Sequence, residues 1–161
     1  MKTLRDSLVE QLKDIYSAET QLVEALPMMI EGAINPQLKK AIKSHLKETE
    51  EQVSRLDKIS QFLDADLTGH TCKAMKGLIK EGEDVLSEDY GCDGLIDVQI
   101  VAAAQRVEHY EIAAYGNAIA LAQFLDKAEV VKLLDESIEE EGAADKALTE
   151  LCESTLFAAC E

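Results

Sequence analysis

Tryptophan is absent from this 161-residue chain, and aromatic residues make up only 4% of it. A core without many large rings has to be built from aliphatic side chains, and much of the 47% hydrophobic content is Ala and Leu. Two prolines and eight glycines leave few breaks, so the composition favours helices over sheets. Basic residues are scarce: 16 Lys and Arg stand against 32 Asp and Glu, for a net charge of −16. Such a chain repels nucleic acid and anionic membrane surfaces, so neither is expected as a partner. No apolar run approaches the ~18 residues that a membrane span requires. The N-terminus, MKTLRDSLVE, is already amphipathic and has no apolar leader segment. A single soluble, cytoplasmic domain spanning residues 1–161 is the expectation.

Other absences narrow the chemistry. Cys72, Cys92, Cys152 and Cys160 form no CxxC pair, which argues against a zinc knuckle. Without an export signal they are expected as thiols, with Cys152 as core filler on an apolar stripe. No Gly-rich phosphate loop or serine elbow occurs, so nucleotide binding and nucleophilic hydrolysis have no support.

What is present is long helical periodicity. The first helix is expected over about residues 3–31, capped by Thr3 with Asp6 three residues on, and stopped by Gly32. Asn35-Pro36 opens a second helix, which runs to about residue 63. Residues 64–70 read as loop, 71–88 as a shorter amphipathic helix, and 89–94 as a clear break. A fourth helix is expected over 95–125 and a fifth over 128–158. The short connections make antiparallel neighbours of the first and second helices, and of the last two. Each long helix has roughly 28 residues, or ~40 Å. The stretch that joins the two hairpins is too long for a simple turn and suits a crossover down the bundle. That is the topology of a ferritin-like four-helix bundle with a short extra helix in its crossover. An up-down bundle with a helical insertion is the competing arrangement.

Acidic residues interrupt the apolar stripes of these helices. In the first, Glu19 falls between Ile15 and Leu22 on a face that also carries Leu8, Leu12 and Leu26. In the fourth, Glu108 and Glu111 lie between Ala104 and Tyr115. In the fifth, Glu141 and Asp145 lie between Ile138 and Leu148, with Glu140 a close rival of Glu141. The second helix offers His45, Glu48 and Gln52 at spacings of three and four. A buried carboxylate without a partner costs several kcal/mol, so such residues either reach solvent or are held by a cation or shared protons. Hard or borderline ions favour carboxylate oxygens with added imidazole. Glu19, His45, Glu48, Glu108, Glu111 and Glu141 are therefore the candidate ligands of two iron or manganese ions. Each has a plainer reading beside it: acidic runs such as 139–141 are usually solvated faces, and a single His on a helix face is often a hydrogen-bonded core residue. His109 diverges from Glu108 by about 100°, His70 falls in a loop, and Tyr16, Tyr110 and Tyr115 read as ordinary core aromatics.

At these residues a resemblance enters. The runs Asp14-Ile-Tyr-Ser-Ala-Glu19, His45-Leu-Lys-Glu-Thr-Glu50 and Val107-Glu-His-Tyr-Glu-Ile-Ala-Ala-Tyr-Gly116, with residues 134–145, resemble the YciE/YciF family of bacterial ferritin-like, rubrerythrin-related stress proteins. The resemblance implies a ferritin-like bundle, often a homodimer, linked to bacterial stress responses. It matches Glu19 to the single Glu of the first ferritin-like helix, and Glu108 and Glu111 to the third. The second and fourth helices depart from the usual Glu-x-x-His: three residues after Glu48 comes Glu51, and three after Glu141 comes Ala144. The function expected is a carboxylate-bridged dinuclear metal protein that handles peroxide, oxygen or iron. The alternative is a non-enzymatic scaffold whose carboxylates are protonated or vestigial.

Overall fold

A computed structural model describes residues 1–160, and of Asp93 the backbone alone. It contains α1 (Leu4–Gly32), α2 (Pro36–Leu63), α3 (Lys73–Ser87), α4 (Asp93–Phe124) and α5 (Ala128–Leu151). No strand occurs among the described residues, and none of the helices is long and apolar enough to cross a membrane.

The helix starts follow the capping chemistry of the sequence. The Thr3 hydroxyl accepts from the Asp6 amide while the Asp6 carboxylate accepts from the Thr3 amide, a complete capping box. Asn35 caps α2 by accepting from the Gln37 and Leu38 amides, with Pro36 in the first turn. Three ends differ from expectation. Gly32 is the last residue of α1, and the cap is Ala33 in extended conformation, its amide donating to the Met29 carbonyl. Glycine is needed there for room: a Cβ on Gly32 would stand 2.4 Å from Leu86 Cδ2 of α3. Cys72 caps α3 rather than lying within it; its sulfur accepts from the Met75 amide. The fifth helix is α-helical only to Leu151. The chain then coils through a wide π turn (Cys152–Leu156) and a tight 3-10 turn (Phe157–Cys160), which keeps Cys152 and Leu156 both buried.

Four long helices form the bundle. α1 packs on α2 and α4, α5 packs on α4 and α2, and α3 lies across α4 and α1. The apolar side chains separate into two clusters. The first contains Leu8, Leu12 and Ile15 of α1, Leu56 and Ile59 of α2, Tyr115 and Ala118 of α4, and Leu134 of α5. The second contains Leu22 and Leu26 of α1, Leu38 and Ile42 of α2, Ile100 and Val101 of α4, and Leu148. Residue order reverses between α1 and α2 and between α4 and α5, so both pairs are antiparallel. α2 ends beside the first cluster, at Leu63, whereas α4 starts beside the second, at Ile96. The connection must therefore travel the length of the bundle, and α3 docks its Met75, Leu78 and Ile79 on the second cluster. That is the ferritin-like crossover, not the up-down alternative.

Asp97 of α4 locks this arrangement. It is buried, and its two carboxylate oxygens accept from the amides of Ile34 (2.7 Å) and Asn35 (2.8 Å) in the α1–α2 turn. Each charge-assisted bond of this kind contributes roughly 1.5–3 kcal/mol. Asp97→Ala is expected to lower the unfolding free energy by about 3 kcal/mol in urea denaturation, and Asp97→Asn by less. An Ala variant as stable as the parent would show that the turn is held by other contacts.

Candidate metal centre

Between the two apolar clusters lies a polar layer. α1 contributes Glu19, α2 His45, Thr49 and Gln52, α4 Glu108 and Glu111, and α5 Ser137 and Glu141, all of them buried. Each sits at the level where its helix passes from one cluster to the other. Antiparallel packing brings those four levels together.

Ligand atoms of His45, Glu108, Glu111 and Glu141 lie within 4.8 Å of one another. Nε2 of His45 stands 3.4 Å from Glu108 Oε1, without the alignment of a hydrogen bond. Glu19 faces them from α1, close enough for its charge to act on Glu108 and Glu111. Glu48 is not in this group. Its side chain is 38% exposed, and Oε2 lies 3.8 Å from His45 Nδ1 at the rim of the layer. The inward positions of α2 are instead His45, Thr49 and Gln52, spaced four and three apart, which rotates Glu48 away.

The rivalry between Glu140 and Glu141 is resolved by Arg55. Its guanidinium donates to both oxygens of Glu140 at 2.6 Å and lies 3.4 Å from Glu136. Glu140 is thus tied at the α2–α5 seam, and Glu141 turns inward with no exposed surface. Gln52 spans the two, donating to Glu141 Oε1 and, at 3.1 Å, to Glu140 Oε2. Tyr115, expected as a plain core aromatic, donates its hydroxyl to Glu19 Oε1. Tyr110 also differs from that expectation. Its hydroxyl donates to Asp14, beside the Cys72 sulfur 3.0 Å away, with His70 Nε2 2.8 Å from the other Asp14 oxygen. His70 is exposed, as its loop position implied. Asp145 lies off the stripe, accepting from Gln105 at 2.8 Å with exposed His109 3.4 Å away. Ser137, not Ile138, is the inward residue of that turn.

Eight buried side-chain atoms have no hydrogen-bond partner among the described residues, and all of them belong to this layer. They are Glu19 Oε2, both nitrogens of His45, Gln52 Oε1, Glu108 Oε2, both oxygens of Glu111, and Glu141 Oε2. An orphaned buried polar group costs about 1–3 kcal/mol, and more if charged, so eight of them rival the whole stability of a typical domain. The donor set is hard oxygen with one imidazole, concave and enclosed, and it fits a cation of the iron or manganese type. Without a cation, protonation relieves the charge on the buried carboxyls. Burial pushes Glu19 and Glu111 well above the usual carboxylate range, and repulsion between Glu19, Glu141 and Glu111 adds to it. Burial likewise raises Glu108, with Glu141 beside it the next cause.

The fold and this interior carboxylate layer define a ferritin-like helical protein. The chain belongs to the family described as Domain of unknown function (DUF892), which it matches over residues 3–160. It is 41% identical over 152 residues to Protein YciF of Escherichia coli (strain K12), covering 94% of this chain and 91% of that protein. The crystal structure of the E. coli stress protein YciF superposes with a TM-score of 0.89, at 41% identity over 94% of this chain and 95% of that one. YcfI, a putative structural protein from Rhodopseudomonas palustris, gives the same TM-score at 43% identity, covering 92% and 94%. A ferritin-like diiron-carboxylate protein from Bacillus anthracis str. Ames shares the fold alone, with a TM-score of 0.71 at 16% identity over 94% and 99%.

The raised carboxyls carry a sign. In the folded metal-free chain Glu19, Glu108 and Glu111 hold protons that the unfolded chain releases near its ordinary value of 4.5. Their contribution to stability is full below that pH and is lost as pH rises through the elevated values. Thermal melts of chelator-treated protein are therefore expected to fall from about pH 5 to about pH 8, and Glu111→Gln to flatten the slope. A melting temperature that climbs over this interval would contradict the burial assigned to these groups.

Proposed function

We propose that this chain holds a carboxylate-bridged pair of iron or manganese ions and uses them on peroxide, dioxygen or iron, in the setting of a bacterial stress response. The observation that carries the reading is the convergence of every orphaned polar atom among the buried described side chains on one interior layer. Glu19, Glu108, Glu111 and Glu141 would supply the oxygens and His45 the nitrogen, with Glu48 available from the rim. Such ions, when bound, supply a redox couple and Lewis-acid activation. The rest is the work of the chain's own residues. Tyr115 orients Glu19, Gln52 orients Glu141, and Arg55 keeps Glu140 out of the centre. The apolar clusters on either side keep bulk water away. The association with stress rests on the similarity to YciF, a stress protein of E. coli.

A second reading has its own support. Gln52 and Tyr115 satisfy one oxygen each of Glu141 and Glu19 with no cation, and one relative is described as a putative structural protein. On that reading the layer is a set of protonated acids inside a scaffold.

Elemental analysis of protein purified without chelator separates the two. The metal reading expects close to two iron or manganese ions per chain, and a melting temperature that chelator lowers. Glu19→Gln or Glu111→Gln should lose at least half of the metal, whereas Glu48→Gln should keep most of it. Protein that purifies empty and resists reconstitution with either ion supports the scaffold.

A further inference from the structure

The half of the bundle around the second apolar cluster is not filled. A cavity of about 290 Å³ lies within it, walled by Leu22, Leu26 and Met29 of α1, Ile42 of α2, Ile100 of α4 and Leu148 of α5. Alanines keep the space open: Ala25 of α1, Ala103 and Ala104 of α4, and Ala143, Ala144 and Ala147 of α5. Among the lining residues Ser44, Ala143 and Ala147 are exposed, which places a mouth between α2 and α5. At the inner end stand His45 and Glu108, both more than nine-tenths buried, with both imidazole nitrogens and Glu108 Oε2 unpartnered.

The chemistry of the walls selects the occupant. A dry apolar cavity of about 150 Å³ already admits benzene, and this one has nearly twice that volume. Water would find side-chain hydrogen-bond partners only at Ser44 by the mouth and at His45, Glu48 and Glu108, so the aliphatic walls between favour a hydrocarbon body over solvent. The head group meets a neutral or acceptor-rich end next to several carboxyls, in a chain of net charge −16. That end repels an anion and rewards a neutral donor.

We propose that this cavity is a binding site for a small neutral amphiphile, an apolar body of about ten non-hydrogen atoms ending in a single hydroxyl or N–H. The body lies along the aliphatic walls and the head reaches Glu108 Oε2 and His45. The aliphatic walls are the same whether or not the neighbouring layer carries metal, but Glu108 and His45 meet the head group only where no ion holds them, so the proposal is one for the metal-free chain.

The test uses the full-length, chelator-treated protein and 1-naphthol as the probe, followed by calorimetry and fluorescence. One saturable equivalent per chain is expected, with 1-naphthalenesulfonate binding at least tenfold more weakly. Ala104→Leu and Ala144→Leu fill the cavity from α4 and from α5, and each should weaken 1-naphthol at least tenfold while circular dichroism and the melting temperature confirm the fold. If one of them does not fold, the other decides. Absence of saturable binding would overturn the proposal. So would equal affinity for the sulfonate, or unchanged affinity in the folded filled variants. Binding that emerges only when the chain is diluted would overturn it too, since a second copy would then own the mouth.

Discussion

The fold is organised around the burial of at least four carboxyl groups at one level of the bundle. Every other feature of the interior adapts to that layer. The apolar core cannot be continuous through it, so the core exists as two clusters, one built on Leu8, Leu12 and Ile15 and the other on Leu22 and Leu26. Helix length follows as well. A helix that crosses both clusters and the layer needs 24 to 32 residues, which is what α1, α2, α4 and α5 have. Because α2 ends beside the first cluster and α4 starts beside the second, the connection between the hairpins returns along the bundle, and α3 covers the second cluster on the way.

Around the layer the side chains divide the charge. Among the described residues Arg55 is the basic residue bound tightly at the seam, and it goes to Glu140, not to the interior. Its cation therefore leaves Glu19, Glu108, Glu111 and Glu141 without a permanent counter-charge inside. Gln52 and Tyr115 bring neutral donors, one to each of two carboxylates, which orients them without cancelling their charge. An interior arranged in this way is open to a divalent cation or to protons, and the two compete for the same oxygens.

Much of this was legible in the chain. Helical period is a local property, so Glu19, Glu108 and Glu111 could be placed on buried faces from their spacing to Leu, Ile and Ala alone, and the 139–141 run could be placed there with Glu140 and Glu141 as rivals. The caps at Thr3 and Asn35 were legible for the same reason, since a cap involves residues within three positions of one another. His45 and Glu48 were not separable, being three apart on one face; the packing of α2 favours the turn of His45, Thr49 and Gln52 and leaves Glu48 at the rim. Tyr115 looked like an ordinary aromatic because its partner Glu19 is 96 residues away. Asp97 gave no signal at all, because the amides it accepts from, Ile34 and Asn35, belong to another hairpin.

The sequence by itself determined the helices, their buried stripes, and the presence of acids within those stripes, because side-chain periodicity and capping act over a few residues. Only the tertiary structure decided which acid of the 139–141 run turns inward, which aromatic becomes a donor, why Gly32 must lack a side chain, and that alanines on separate helices leave a common space. Each of these depends on atoms contributed by another helix, and the distance between two helices is not written in the spacing along either one.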